Sequence, residues 1–100
     1  MENESIKTKI LADYKILLGL KFDSPQVVYD KLKLIGEHIK QLTGLDGSED
    51  YSQAATLIHA AMTNEYIAFA EAATNDNKEQ TLAQLKHKVA EACQLLHIHT

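Results

Sequence analysis

The sequence contains no arginine and no tryptophan, and it has only one cysteine, one proline and four glycines. All ten cationic side chains are lysines, so the bidentate guanidinium fork that reads guanine edges and phosphates is missing. This absence argues against specific nucleic-acid recognition. Because Cys93 is the only cysteine, an internal disulfide is excluded as well.

Long apolar runs and targeting signals are also missing. The longest apolar runs, such as Ile16 to Leu20, are far too short to cross a bilayer. The N-terminal residues 1–4 are acidic and lead directly into an amphipathic pattern, unlike a secretory signal. We therefore expect a cytoplasmic protein without a membrane span.

What the sequence has is helical periodicity, strongest in residues 48–73. Apolar residues recur there at steps of three and four, and a second face of the same stretch is rich in alanine. Because both faces are apolar, we expect this third helix to be the most buried element. The first face is formed by Tyr51, Ala55, Ile58, Met62, Tyr66, Phe69 and Ala73, and the second by Ala54, Leu57, Ala61, Ala68 and Ala72.

Turn and cap signals divide the chain into four helices. Gly19 is expected to end the first helix in a left-handed conformation, Ser24 to cap the second ahead of Pro25, and Asn77 to cap the fourth. Because the connections are only a few residues long, the predicted fold is all-α: a single-domain, antiparallel, up-down-up-down four-helix bundle. The predicted helices cover about residues 5–18, 25–43, 49–73 and 77–97.

A metal or small-molecule site formed by histidine and cysteine is the alternative function. Cys93 and His97 are four residues apart, which presents two ligands on one helical face, and His59 or His38 could supply a third. The competing interpretation is structural, because a thiol on an apolar stripe acts as a small hydrophobe and the helix dipole favours histidine near a C-terminus. No CxxC, HExxH or ExxH motif occurs. We predict no cofactor.

Motifs for catalysis are missing too. The sequence has no glycine-rich phosphate loop and no Walker pattern. A thiol on the apolar stripe is expected to have a raised pKa, which does not suit a nucleophile. We predict that the protein is not an enzyme.

Acidic residues are concentrated in the middle of the chain. Residues 41–79 carry seven acids and a single lysine, and concentrated charge of one sign attracts a partner of the opposite sign. We interpret these acids as a partner-binding surface with Tyr51 as its aromatic anchor. The alternative puts Tyr51 in the core and the acids at helix N-termini, where the helix dipole favours them. The predicted binding residues are Asp46, Glu49, Asp50, Tyr51, Glu65, Glu71 and Asp76.

In size, helix count and short turns, the predicted fold is similar to the four-helix immunity proteins that protect bacteria from their own pediocin-like bacteriocins. The resemblance covers the architecture of the whole chain and no specific motif. The predicted function is a small acidic protein-binding module of the inhibitor, immunity or antitoxin type, with another, basic protein as its partner. The long third helix would extend beyond its neighbours and leave apolar surface to bury. Two arrangements would bury it: a homodimer, or a bend in this helix near Thr63 and Asn64.

Overall fold

The computed structural model describes residues 2–98 as four helical rods joined by short connections. No strand occurs within this range, so the all-α, four-helix fold is confirmed. The antiparallel order of the four helices stays a prediction. Helix α1 spans Glu2–Gly19 and α2 spans Pro25–Leu45; the third rod consists of α3 (Glu49–Ala60), a π-helical turn (Ala61–Glu65) and α4 (Tyr66–Glu71); and α5 spans Asn75–Leu95.

The core is built from one stripe of each rod, and α2 contributes most to it. Five large aliphatic side chains of α2 have no exposed surface. In the third rod, by contrast, the predicted second apolar face is buried at Ala54 but exposed at Ala68. The expectation that this rod is the most buried element is therefore wrong. The buried side chains of α2 are Val28, Leu32, Ile35, Ile39 and Leu42.

A π-helical turn spans Ala61–Glu65 and adds one residue to the rod. Beyond it, Phe69 is 2% exposed and Ala68 is turned to solvent. Phe69 belongs to the first predicted face, eleven residues or about three helical turns after the buried Ile58. The core therefore uses the first face, as predicted, and not the second.

None of the three predicted caps has the predicted chemistry. Ser24 does precede α2, but its hydroxyl lies 3.4 Å from Oδ1 of Asp23 and makes no cap hydrogen bond. Helix α5 begins before Asn77, because Oγ1 of Thr74 accepts the Asn77 N–H at 3.2 Å. Gly19 ends α1 as predicted, yet no glycine within residues 2–98 has a positive φ.

The left-handed residue occurs after α5 instead. The Ile98 N–H donates to the Cys93 carbonyl and the His97 N–H to the Gln94 carbonyl, both at 3.0 Å, which is the Schellman arrangement that usually ends in glycine. Here His97 has a φ of 61°. Helix α5 therefore stops short of His97, and this histidine leaves the helical face of Cys93.

Lys86 of α5 donates hydrogen bonds to backbone carbonyls at the end of α1. Its Nζ donates to the carbonyl oxygens of Leu18 at 2.9 Å and Leu20 at 2.7 Å. These carbonyls lie at a helix C-terminus, where acceptors lack intrahelical partners and a cation is favoured. Burial lowers the pKa of the Lys86 ammonium, which remains the donor that joins the two helices.

Gly36 interrupts the apolar pattern of α2 and predicts a close contact with another helix. The contact exists: a Cβ at this position would lie 3.5 Å from Cγ2 of Ile58 in the third rod. This distance is ordinary van der Waals contact, so the position accepts a methyl group and does not require glycine.

Gly36→Ala is therefore expected to raise the free energy of unfolding by about 1 kcal/mol, because alanine is the better helix former and its methyl group gains a contact with Ile58. Urea denaturation of both proteins measures the change. Gly36→Leu serves as the comparison, since its larger side chain overpacks the same contact and should cost stability. A lower stability for the alanine variant would mean that the helices approach more closely than this.

Candidate functional site

The predicted acidic site is divided between two ends of the molecule. Asp46, Glu49 and Asp50 lie where α2 meets α3, whereas Glu71 and Asp76 flank the connection between α4 and α5. At about 1.5 Å per residue, the third rod separates the two groups by about 30 Å. The acids therefore do not form one patch.

The acids at the α2–α3 connection have local contacts. Oδ1 of Asp46 accepts the Ser48 N–H at 3.1 Å. Glu49 and Asp50 lie in the first turn of α3, and Oδ2 of Asp50 is 3.3 Å from Nε2 of His97. These positions fit the alternative that the helix dipole accounts for the acids. Partner binding by them stays a prediction.

Two of the predicted binding residues face inward. Tyr51 is only 6% exposed, and Nζ of Lys7 lies 5.3 Å from the centre of its ring. The ring belongs to the core, so its interpretation as an exposed aromatic anchor is wrong. Glu65 ends the π turn, and its Oε2 is buried with no hydrogen-bond partner within residues 2–98.

His59, Cys93 and His97 do not converge on a point. Cys93 is 1% exposed, and burial raises its pKa to about 11. His59 lies exposed beside a groove between α2 and the third rod, and the His97 imidazole points to Asp50. In the described part of the chain, no three His, Cys, Asp or Glu side chains are arranged to hold a metal ion.

The structure instead brings together three other titratable side chains, from α1 and α2. Oδ1 of Asp13 is 3.6 Å from Nζ of Lys31, and its Oδ2 is 3.8 Å from Nε2 of His38. The three side chains are mostly buried, with Asp13 15%, His38 17% and Lys31 23% exposed. Together they form a fixed polar cluster between the two helices.

The His38 ring makes no hydrogen bond in this cluster. Its Nε2 lies 3.8 Å from Oδ2 of Asp13, which is beyond hydrogen-bond distance. The other nitrogen, Nδ1, is buried and has no hydrogen-bond partner within residues 2–98. The cluster thus carries a buried ring nitrogen without a hydrogen-bond partner, which is uncommon in a folded interior.

Exposed apolar side chains adjoin this polar cluster. Ile16 lies one turn after Asp13 on α1 and is 47% exposed. Leu34 lies between Lys31 and His38 on α2 and is 38% exposed. Residues three and four apart share a helix face, so both apolar side chains lie on the side of their helix that carries the cluster.

The apolar stripe continues along α2 in both directions. Val27, 41% exposed, and Leu45, 49% exposed, lie seven residues before and eleven after Leu34, and both steps return to the same side of a helix. Four of the six exposed large apolar side chains within residues 2–98 therefore share one surface. We call it the α1–α2 face: Ile16, Val27, Leu34 and Leu45 around Asp13, Lys31 and His38.

A groove lies at one end of the α1–α2 face. A groove of about 510 Å³ separates the beginning of α1 from the end of α2. Its walls are mainly apolar, with the Lys9 side chain at its edge. The groove is lined by Ser5, Ile6, Lys9, Gln41, Gly44 and Leu45.

Comparison of the chain with protein-family models, with curated proteins and with solved structures gives no match. Within residues 2–98, no helix combines the length and the apolar character that crossing a bilayer requires.

Proposed function

We propose that the protein acts by binding another protein and that the α1–α2 face is its binding surface. The observation that carries this proposal is the clustering of exposed Ile16 and Leu34 beside a half-buried polar cluster. Contiguous exposed apolar surface marks interaction sites in soluble proteins, and protein interfaces combine such surface with a few oriented polar groups.

The two kinds of side chain have different tasks in this proposal. Ile16 and Leu34 contribute affinity, because a partner that covers them removes apolar surface from water at about 25 cal/mol per Å². Asp13, held between Lys31 and His38, is already oriented before a partner arrives. Groups fixed in advance lose little conformational freedom on binding, so they favour a partner that matches them.

Binding alone is sufficient for an inhibitor, an immunity protein or an antitoxin, since each acts by occupying a surface of its partner. The one thiol supports a role without covalent chemistry, because burial raises the pKa of Cys93 to about 11. Asp30 and Glu37 are exposed on α2 close to Leu34, but Lys33 beside Leu34 and Lys15 beside Ile16 are exposed as well. The α1–α2 face therefore carries both signs of charge, and a basic partner stays a prediction. The cytoplasmic location stays a prediction.

The test compares the parent chain with the Ile16→Ser/Leu34→Ser variant. A partner isolated from the native host with the parent chain is purified, and its association with each variant is measured by biolayer interferometry. We expect the double variant to bind at least about tenfold more weakly, because central apolar contacts carry much of an interface's affinity. Ile67→Ser is the matched control, since Ile67 is 45% exposed but lies on α4.

Two results would contradict the proposal. One is an equal loss of binding in the Ile67→Ser control, which would indicate a general effect of lost apolar surface. The other is full binding by the double variant together with loss of binding when Asp46, Glu49 and Asp50 are neutralised. That result would show that the partner binds the acids at the α2–α3 connection and not the α1–α2 face.

A further inference from the structure

We infer that a groove between the α1–α2 connection (residues 20–24) and the first turns of α5 binds a small monocarboxylate with an apolar chain, such as a short fatty acid. Its volume of about 580 Å³ lies within the range of about 300–1,000 Å³ that is usual for small-molecule sites. No residue of the α1–α2 face lines it, so the inference goes beyond the proposed function. Its lining includes Leu20, Lys21, Phe22, Leu82, Ala83 and Lys86, and we call it the Lys86 groove.

The walls of the Lys86 groove are mainly apolar. Leu20 and Phe22, from the α1–α2 connection, are partly buried and pack against the core. Leu82 of α5 is only 4% exposed, and Ala83 beside it is exposed at the rim. A ligand with an apolar chain removes this surface from water, which favours binding. The walls therefore match a hydrocarbon chain better than a polar body.

The Lys86 ammonium gives the groove a cation in a fixed position. Its Nζ donates to the carbonyl oxygens of Leu18 and Leu20. An ammonium has three N–H donors, so one remains for a ligand in the groove that Lys86 lines. A donor that is held in place before binding loses little conformational freedom, and a carboxylate accepts the stronger, charge-assisted hydrogen bond from it.

The charge of Lys86 has no counter-ion in the described part of the chain. Lys86 forms no ion pair with a carboxylate of residues 2–98. Burial lowers the pKa of Lys86, because the ammonium loses water around its charge. A bound carboxylate would supply the missing counter-ion and raise this pKa again. A partly dehydrated, unpaired cation thus favours an anionic ligand over a neutral one.

The other charges at the groove favour one carboxylate and not two. Exposed Lys21 follows Leu20, whose carbonyl accepts from Lys86, so a second cation lies near the same end. Glu79 also lines the groove, but it precedes Lys86 by about two helical turns, or about 10 Å along α5. A carboxylate beside Lys86 is therefore remote from Glu79, whereas a second carboxylate at the far end of the chain would be repelled. Asp23, on the same connection as Lys21, does not line the groove.

The experiment is a titration of the ¹⁵N-labelled full chain with octanoate, followed through the amide signals of residues 20–22 and 82–86. We expect saturable shifts and a dissociation constant of about 1 mM or below, the affinity of a ligand of this size. Three probes are compared with octanoate at about 1 mM: 1-octanol lacks the charge, acetate lacks the chain, and octanedioate has a second carboxylate. Each should bind at least about tenfold more weakly.

Ala83→Glu tests the groove without removing the hydrogen bonds of Lys86. The new carboxylate is three residues before Lys86, so the chain would supply its own counter-ion and occupy the rim. Octanoate should bind at least about tenfold more weakly. Ala68→Glu is the matched control, because it makes the same change at an exposed alanine outside the groove.

Lys86→Met is the second variant, and it should also weaken octanoate binding by at least about tenfold, since it removes the cation. Lys88→Met, on the same helix but outside the groove, is its control and should bind like the parent chain. Circular dichroism and urea denaturation establish that every variant is folded under the conditions of the titration.

The inference is overturned if the parent chain gives no saturable shift up to about 10 mM octanoate. It is also overturned if octanoate binding survives both Ala83→Glu and Lys86→Met, which would put the site elsewhere. Equal binding of 1-octanol would contradict the role of the cation, and equal binding of octanedioate would contradict the preference for one carboxylate. Because the α1–α2 face uses other residues, failure of this titration leaves the proposed function to its own test.

Discussion

Phe69→Ala is expected to lower the free energy of unfolding by about 3–5 kcal/mol. Phe69 is 2% exposed and is the largest of the fully buried side chains. Its ring meets the ring of Tyr66 edge-on, with centroids 6.2 Å apart and planes at 62°, a geometry that adds about 0.5–1.5 kcal/mol to simple burial. Alanine removes both contributions and leaves a cavity. Equilibrium denaturation in guanidinium chloride measures the difference.

Ile67→Ala is the control for this prediction, because Ile67 is a large apolar residue of the same short helix but is 45% exposed. Its substitution should change stability by no more than about 0.5 kcal/mol. A cost below about 1 kcal/mol for Phe69→Ala would contradict the burial of this ring in the core, where it is 2% exposed.

The protein is expected to lose about 3 kcal/mol of stability between pH 9 and pH 11 through a single thiol. Burial raises the pKa of Cys93 from 9.0 to about 11. Above pH 9 the unfolded chain releases this proton while the folded chain still holds it, so rising pH favours unfolding. The stabilisation is therefore fully present below pH 9 and is lost as the pH passes 11.

Two other groups change stability in the same alkaline range. Burial, followed by the charge of Cys93, raises the pKa of Tyr14, so ionisation of this tyrosine also favours the unfolded chain. Burial lowers the pKa of Lys86, which has the opposite sign: the folded chain loses this proton first, and stability rises as the pH approaches 10.5. A pH profile of the parent chain alone would mix these effects.

Cys93→Ala removes the thiol, together with the contribution of its charge to the raised pKa of Tyr14, and leaves Lys86 in place. Unfolding free energies of the parent and the variant are measured from pH 7 to pH 11, and their difference is followed. The variant should be the less stable protein at pH 7, because it loses buried volume. Above pH 9, its free energy of unfolding should decrease more slowly with pH than that of the parent. Two curves that stay parallel to pH 11 would rule out the thiol as the cause.

The number of helices and most of their ends could be predicted from the sequence because local chemistry sets them. Pro25 has a fixed φ that suits the first turn of a helix, and α2 begins there. Gly19 ends α1 without adopting a positive φ. The residue with a left-handed conformation is His97, and a histidine at this position does not predict that conformation.

The π turn could not be predicted, because the steps of three and four continue through residues 61–65 as if the helix were regular. Ala68 and Phe69 are on the two predicted apolar faces, and only Phe69 is buried. Periodicity records the apolar residues that are present. It does not record which of two neighbouring apolar residues meets another helix.

The α1–α2 face escaped prediction for the same reason. Val27 and Val28 are neighbours of the same residue type, as are the aliphatic residues Leu34 and Ile35, yet one member of each pair is exposed and the other has no exposed surface. The position of α1 beside α2 decides between them. A signal was available in the spacing of Val27, Leu34 and Leu45, which repeats on one side of α2.

The third rod consists of two α-helices whose phases differ by one residue. Helices α3 and α4 each follow ordinary helical phase, but the π turn over Ala61–Glu65 offsets one from the other by a single residue. A substitution within the turn leaves that offset unchanged. The loss of one residue there would leave a regular α-helical turn, so α4 could keep its orientation and Phe69 its place in the core. The gain of one residue would instead rotate all of α4 by about 100° and replace Phe69 in the core with a neighbour. The rod therefore tolerates a deletion at this turn better than an insertion.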